Sequence, residues 1–246
     1  MTLEERAADT VGPGQKQWYR VGAVAALSLG IGYIIIFPLY AYVGPPPSGG
    51  DAWFKYLPGK TTVWWVIVGI SVFTDFLFVP LALALYLALK GRNRNAMLLA
   101  VAFVGLFVVL DLAVTWSHYA SILALYGKYL TATDDVQRAG FLAAANYGSA
   151  MLTSPVEIVY AIVTLSFGIL VIGFVMRGGV FNKITAYLGI ATGILGIASL
   201  TRLSLAIIGN ALFATAWLFL QVTDSTDSLR IDSAFSHTLQ ASLPPT

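Results

Sequence analysis

Five stretches of this chain each run for about 20 residues or more with almost no charge, and lipid is the solvent that tolerates such runs. They are Trp18 to Val43, Val63 to Leu89, Ala96 to Tyr126, Pro155 to Met176 and Phe181 to Val222. At a rise of about 1.5 Å per residue, each can cross a hydrocarbon core as a helix. The last is long enough to cross twice, with a tight turn near Thr201 and Arg202. Backbone groups find no partner in lipid outside their own element, so helices are the expected form. The expected fold is all-α: an integral membrane bundle of six transmembrane helices over 18–222. Residues 1–17 read as a loose cytoplasmic segment, and 223–246, rich in Ser, Thr and Asp, as a flexible cytoplasmic tail.

Composition closes off other classes. Of 246 residues, 58% are hydrophobic and 11% charged, with a mean hydropathy of +0.79. Soluble domains carry about 25% charged residues. The net charge of +2 is small and dispersed, which excludes nucleic-acid binding. There is no cysteine, so disulfides, thiolate metal sites, iron–sulfur clusters and palmitoylation are excluded. The acidic start MTLEERAADT argues against a cleaved signal peptide. No cofactor or metal is expected. The expected partners are the lipid bilayer and other membrane-protein subunits.

The connections carry their own signals. Gly44 to Lys60 reads as a turn-rich loop because of its three consecutive prolines, with Trp53, Phe54 and Tyr56 placed on the membrane surface. Residues 131–152 read as a short interfacial helix before the fourth span, capped by Asp134 and Gln137. Lys90 to Arg94 reads as a basic loop. With six spans, Arg6, Lys16, Arg20, Lys90, Arg92, Arg94, Arg177, Lys183 and Arg230 fall on one side. Lys55, Lys60, Lys128, Arg138 and Arg202 fall on the other. The positive-inside rule then places both termini in the cytoplasm of a multi-pass cell-membrane protein. A single kinked span over 181–222 would move the C-terminus outside.

Ionisable groups at bilayer depth are functional candidates by default. Asp75 is mid-span, with Ser71 one turn before it, Thr74 beside it and Pro80 loosening the next turn. Asp111 is mid-span in the next run, and Thr115 and His118 come at i+4 and i+7, on one helical face. Antiparallel neighbours bring Asp75 and Asp111 to similar depth. If they approach, both cannot ionise comfortably and one holds a proton. The plain alternative is that these groups only glue helices together. Asp111, His118 and Glu157 also make a candidate acid–base or metal set. Glu157, however, reads as part of a capping box over Ser154-Pro155-Val156-Glu157. Gly189, Gly193 and Gly196 form a small-residue face for intramolecular helix packing. No lysine lies mid-span, and no Walker A, HExxH or GxSxG string is present.

Val171 to Ile197, VIGFVMRGGVFNKITAYLGIATGILGI, resembles a family of bacterial polytopic membrane proteins known as domain of unknown function 4386. Asp75 followed by FLFVPLALALYLAL fits that family's style, as does Asp111 followed by an Ala-rich stretch. The resemblance covers about 18–222 and implies a membrane bundle without implying an activity. The residues allow three functions. The first is a structural or accessory membrane component, not an enzyme. The second is a small proton-coupled transporter using Asp75 and Asp111. The third is a lipid-directed enzyme using Asp111, His118 and Glu157.

Overall fold

The computed structural model describes residues 13–178, 181–201 and 209–224. Among the described residues every regular element is helical, and three continuous helical segments are long and apolar enough to cross a membrane: Gln17–Val43, Thr61–Thr131 and Asp135–Met176. Lys183–Ala198 is a shorter apolar helix. The expectations for 1–12, for Arg202 in the final turn and for 225–246 lie outside the described residues.

Helix α1, Pro13–Val43, starts five residues before Trp18, so the expected loose segment is already helical from Pro13. Proline suits that place, since the first helical N–H has no partner to lose. At the other end, the Val43 carbonyl accepts from Tyr56 Oη at 2.8 Å and from Lys60 Nζ at 2.8 Å. A cation and a hydroxyl thus satisfy a terminal carbonyl of α1. Burial pushes the Tyr56 phenol above its ordinary pKa, which keeps it a donor.

The expected loop over Gly44 to Lys60 contains helix α2, Gly50–Tyr56, and of its three rings only Tyr56 keeps partial exposure. Trp53 and Phe54 are buried. Trp53 packs on Trp64 and Tyr119 at ring distances of 5.3 and 5.9 Å, and Phe54 on Tyr129 at 4.9 Å. Three prolines stop a helix only where they stand; the residues after them are free to coil. α2 then docks because its leading N–H groups have partners waiting: Gly49 N donates to Ser149 Oγ at 2.7 Å and Gly50 N to Asn146 Oδ1 at 2.5 Å. The approach is so close that a Cβ on Gly50 would lie 2.6 Å from the Asn146 nitrogen and 2.8 Å from the Leu142 oxygen. Gly50→Ala should therefore lower the unfolding free energy by about 2 kcal/mol, read by thermal unfolding in lipid nanodiscs. An unchanged melting temperature would mean that α2 is not held there.

Helix α3, Thr61–Leu110, contains one residue outside helical geometry, Asn93, with φ −155° and ψ 91°. The chain reverses there. Arms 61–92 and 94–110 pack antiparallel, with Phe78 against Phe107 at 5.8 Å. The expected basic loop thus shrinks to a single break, because Asn93 Oδ1 caps the second arm by accepting from Ala96 N at 3.0 Å. A π-turn, Asp111–Trp116, joins the second arm to α4, Ser117–Thr131. Helix α5, Asp135–Leu152, is capped by Asp134, which accepts from Gln137 N at 2.8 Å. Helix α6, Pro155–Val159, passes through a second π-turn, Tyr160–Thr164, into α7, Leu165–Met176.

Helix α8, Lys183–Ala198, opens on the Asn182 cap. Residues 209–224 form α9. Asp224 Oδ2 accepts from Asn182 N at 3.1 Å and Thr185 Oγ1 at 2.7 Å, while Gly209 faces Leu195. α8 and α9 therefore run antiparallel. The expected tail began at 223, yet Asp224 is tied to the start of α8, where a carboxylate complements the helix dipole. One buried core joins α1, α3, α7, α8 and α9 around Leu29, Leu89, Met97 and Ile172. A second, aromatic core sits at the α2 end.

Candidate functional site

The hairpin at Asn93 brings Asp75 on its first arm to the level of Asp111, the first residue of the π-turn that follows its second. Both are buried, 4% and 6% exposed, and the two carboxyls lie close enough to act on each other's charge. Two carboxylates are acceptors only, so a hydrogen bond between these two would need one shared proton. Ser71 and Thr74 are buried one turn earlier, and Thr74 Oγ1 donates to the Ser71 carbonyl at 2.8 Å. Asp75 Oδ2 has no partner.

The π-turn builds the rest of the site. Trp116 lies five residues after Asp111, a spacing that separates two side chains on an α-helix. In a π-turn that spacing closes the ring, and Trp116 Nε1 donates to Asp111 Oδ2 at 2.9 Å. Thr115, four residues after Asp111 in the same turn, donates to Glu157 Oε1 at 3.2 Å. Tyr160 Oη lies 3.4 Å from the same hydroxyl, at the head of the second π-turn. Two irregular turns thus face each other across one polar cluster. Such turns recur at functional sites.

Glu157 stands where a capping box would put it, and its backbone N–H donates to Ser154 Oγ at 3.1 Å. Its carboxylate does not reach back to the Ser154 N–H, which donates to the Met151 carbonyl at 3.2 Å. It turns into the bundle and is half-buried. His118 goes elsewhere. The extra residue in the first π-turn rotates the start of α4 by roughly 100°, off the Asp111–Thr115 face. The His118 Nδ1 bonds the Val114 carbonyl at 2.5 Å and its ring faces Tyr147 at 5.9 Å. The structure therefore joins Asp75, Asp111, Thr115 and Glu157 and leaves His118 out. Among the described residues no group of three acidic or histidine side chains is placed to hold a metal.

The glycine face lies against α7. A Cβ on Gly193 would stand 2.6 Å from the Leu170 Cβ, one on Gly189 2.8 Å from Trp217 Nε1, and one on Gly196 against Ser166. Gly173 on α7 completes the seam at 2.6 Å from the Ile190 nitrogen. Trp116, Tyr160 and Gly173 carried no signal in the sequence, since none is polar enough or patterned enough to stand out in an apolar helix. No family model matches the chain, and no curated protein or solved structure is significantly similar to it.

Proposed function

We propose that the chain is a six-span plasma-membrane protein with both termini cytoplasmic, and that it acts as a small proton-coupled transporter. Asp75 and Asp111 share the coupling proton. The observation that carries this reading is the cluster of Asp75, Asp111, Thr115 and Glu157, two buried acids beside a hydroxyl that donates to a half-buried third. Thr115 has one hydroxyl proton and free lone pairs. It can accept a proton from Asp111 while passing its own to Glu157, so charge moves without a side chain moving. A bundle keyed by packing alone needs hydroxyls and small residues, not three linked carboxyls. The six-span topology is supported by the break at Asn93 and by the antiparallel α8–α9 pair. Orientation is supported by Arg20, Lys90, Arg92, Arg94, Arg177 and Lys183 at the Asn93 end, against Lys55, Lys60, Lys128 and Arg138 at the other. The resemblance to the domain of unknown function 4386 implies the same kind of bundle and assigns no substrate.

Proton entry into proteoliposomes loaded with a pH-sensitive dye, under a clamped potential, tests the reading. Wild-type protein should exceed protein-free vesicles. Thr115→Val and Glu157→Gln should each slow entry at least about tenfold, a conservative floor beneath the roughly 10²–10⁴-fold that a positioned proton-transfer group contributes. Asp75→Asn with Asp111→Asn should abolish it. Equal rates for wild type and the double variant would sink the proposal.

A further inference from the structure

A groove of about 420 Å³ lies at the Asn93 end of the bundle, between the α3 hairpin and α7. Its α7 wall is Val171, Phe174, Val175 and Gly178, spaced i, i+3, i+4 and i+7 along one helical face. Its other wall is Arg92, Asn93 and Ala96, where the hairpin turns. One turn deeper the two walls meet. A Cβ on Gly168 would stand 2.9 Å from Val104 Cγ2 and 3.2 Å from the Ala100 oxygen. The groove is therefore a slot closed at its inner end, and at about 1.5 Å per residue it runs roughly 15 Å from Gly178 to that floor. Phe174, 52% exposed, leaves its side open to lipid.

The slot carries one charge. Arg92 is the single ionisable side chain in the lining, and it is exposed. Among the described residues the ion pairs are Lys55–Asp51 and Arg138–Asp135, both at the opposite end, so Arg92 has no acid partner. Lys90 and Arg94 flank it and are exposed too. The Arg177 guanidinium lies on the α8 side, 5.6 Å from the centre of the Tyr187 ring. Asp224, the described acid at this end, is held by Asn182 N and Thr185 Oγ1. Beside Arg92, the Asn93 Oδ1 is taken by the Ala96 N–H, which leaves the Asn93 amide nitrogen as a second donor.

From this we infer that the slot holds the headgroup and first methylenes of an anionic phospholipid whose phosphodiester carries a single charge. Arg92 meets the phosphate and Asn93 Nδ2 donates beside it. Val171, Phe174 and Val175 take the upper acyl chain. The phosphate belongs on the hairpin side, since the C-terminal carbonyls of α7 repel an anion. One cation in the lining matches one negative charge. A zwitterionic headgroup would bring its ammonium among Lys90, Arg92 and Arg94, with no acid in the lining to receive it. A soluble anion would leave the apolar wall to water. The proposed orientation turns this end toward the cytoplasmic leaflet, where anionic lipid is held. The inference rests on the placement of these helices in a membrane and not on proton transport.

Native mass spectrometry of the full chain, released from micelles containing equal dioleoyl phosphatidylglycerol and dioleoyl phosphatidylcholine, tests this. One phosphatidylglycerol should be retained, preferred over phosphatidylcholine by about fivefold, the ratio expected from one cation near a lipid surface. Arg92→Gln should bring that preference close to one. Arg94→Gln removes an equally exposed cation outside the lining and should keep it. Val171→Trp fills the slot without changing charge and should abolish retention, with its melting temperature in lipid-free micelles checking that it folds. If Val171→Trp unfolds, the comparison of Arg92→Gln with Arg94→Gln decides. Equal loss in those two variants, equal retention of the two lipids by wild type, or full retention by folded Val171→Trp would each overturn the inference. A lipid preference without proton entry would sink the transport reading alone, and proton entry without a lipid preference would sink this one alone.

Discussion

Gly193→Ala is expected to lower the unfolding free energy by about 3 kcal/mol, although it adds a single methyl group. The added Cβ would stand 2.6 Å from the Leu170 Cβ and 2.8 Å from both its Cα and its nitrogen. Two of those three atoms are backbone, so no rotamer change relieves the contact. α7 and α8 must separate instead, and the displacement spreads along the seam, where Gly173 meets Ile190 and Gly189 meets Trp217 at similarly close range. In lipid, close backbone approach is itself what holds helices together, since apolar side chains gain little by leaving lipid for protein. Gly105→Ala is the control. That position is mid-helix with open space around its would-be Cβ, so alanine should be neutral or stabilising by about 0.5–1 kcal/mol. Chemical unfolding of both variants in mixed micelles checks the pair. Equal stabilities would show that the α7–α8 seam is looser than the distances imply.

That seam was legible in the sequence on one side only. Gly189, Gly193 and Gly196 form a pattern, whereas their partner Gly173 stands five residues from the other glycine of α7, Gly168, a spacing that shares no helical face. The same asymmetry runs through the molecule. The apolar runs dictate helices because lipid leaves no alternative, and Ser154 and Asp134 mark helix starts because capping is local chemistry. Local rules also placed Asp75 and Asp111 at one depth. They failed where geometry departs from 3.6 residues per turn. With an extra residue between Asp111 and Trp116, His118 leaves the face that i+7 spacing assigned it and Trp116 joins the site. No propensity marks that turn. In that turn Thr115 meets Glu157 and Tyr160 from another helix, which is tertiary information. The burial of Trp53 and Phe54 was hidden for the same reason: their partners, Trp64, Tyr119 and Tyr129, lie on other helices.

Asp111→Leu should cost about 3 kcal/mol, while Asp111→Asn should stay within about 1 kcal/mol of wild type. Leucine fills most of the volume but strands three groups at once. Trp116 Nε1 loses its acceptor, Thr115 loses one of its two carboxyl neighbours, and Asp75 loses the carboxyl it shares a proton with. Asparagine replaces each contact. Its oxygen accepts from the indole, and its amide donates to Asp75 without needing the shared proton. Asn therefore preserves the bundle while removing the proton, which separates architecture from transport in a single position. Position 75 should respond less steeply, because Asp75 Oδ2 already lacks a partner and leucine there relieves one unmet atom as it breaks the pair. The expected order of melting temperatures is wild type close to Asp111→Asn, then Asp75→Leu, then Asp111→Leu. If leucine is tolerated equally at 75 and 111, neither acid is held by a neighbour, and the line to Glu157 has no origin. If Asp111→Asn instead unfolds like Asp111→Leu, the pair binds through its charge rather than through a shared proton, and the transport reading loses its currency.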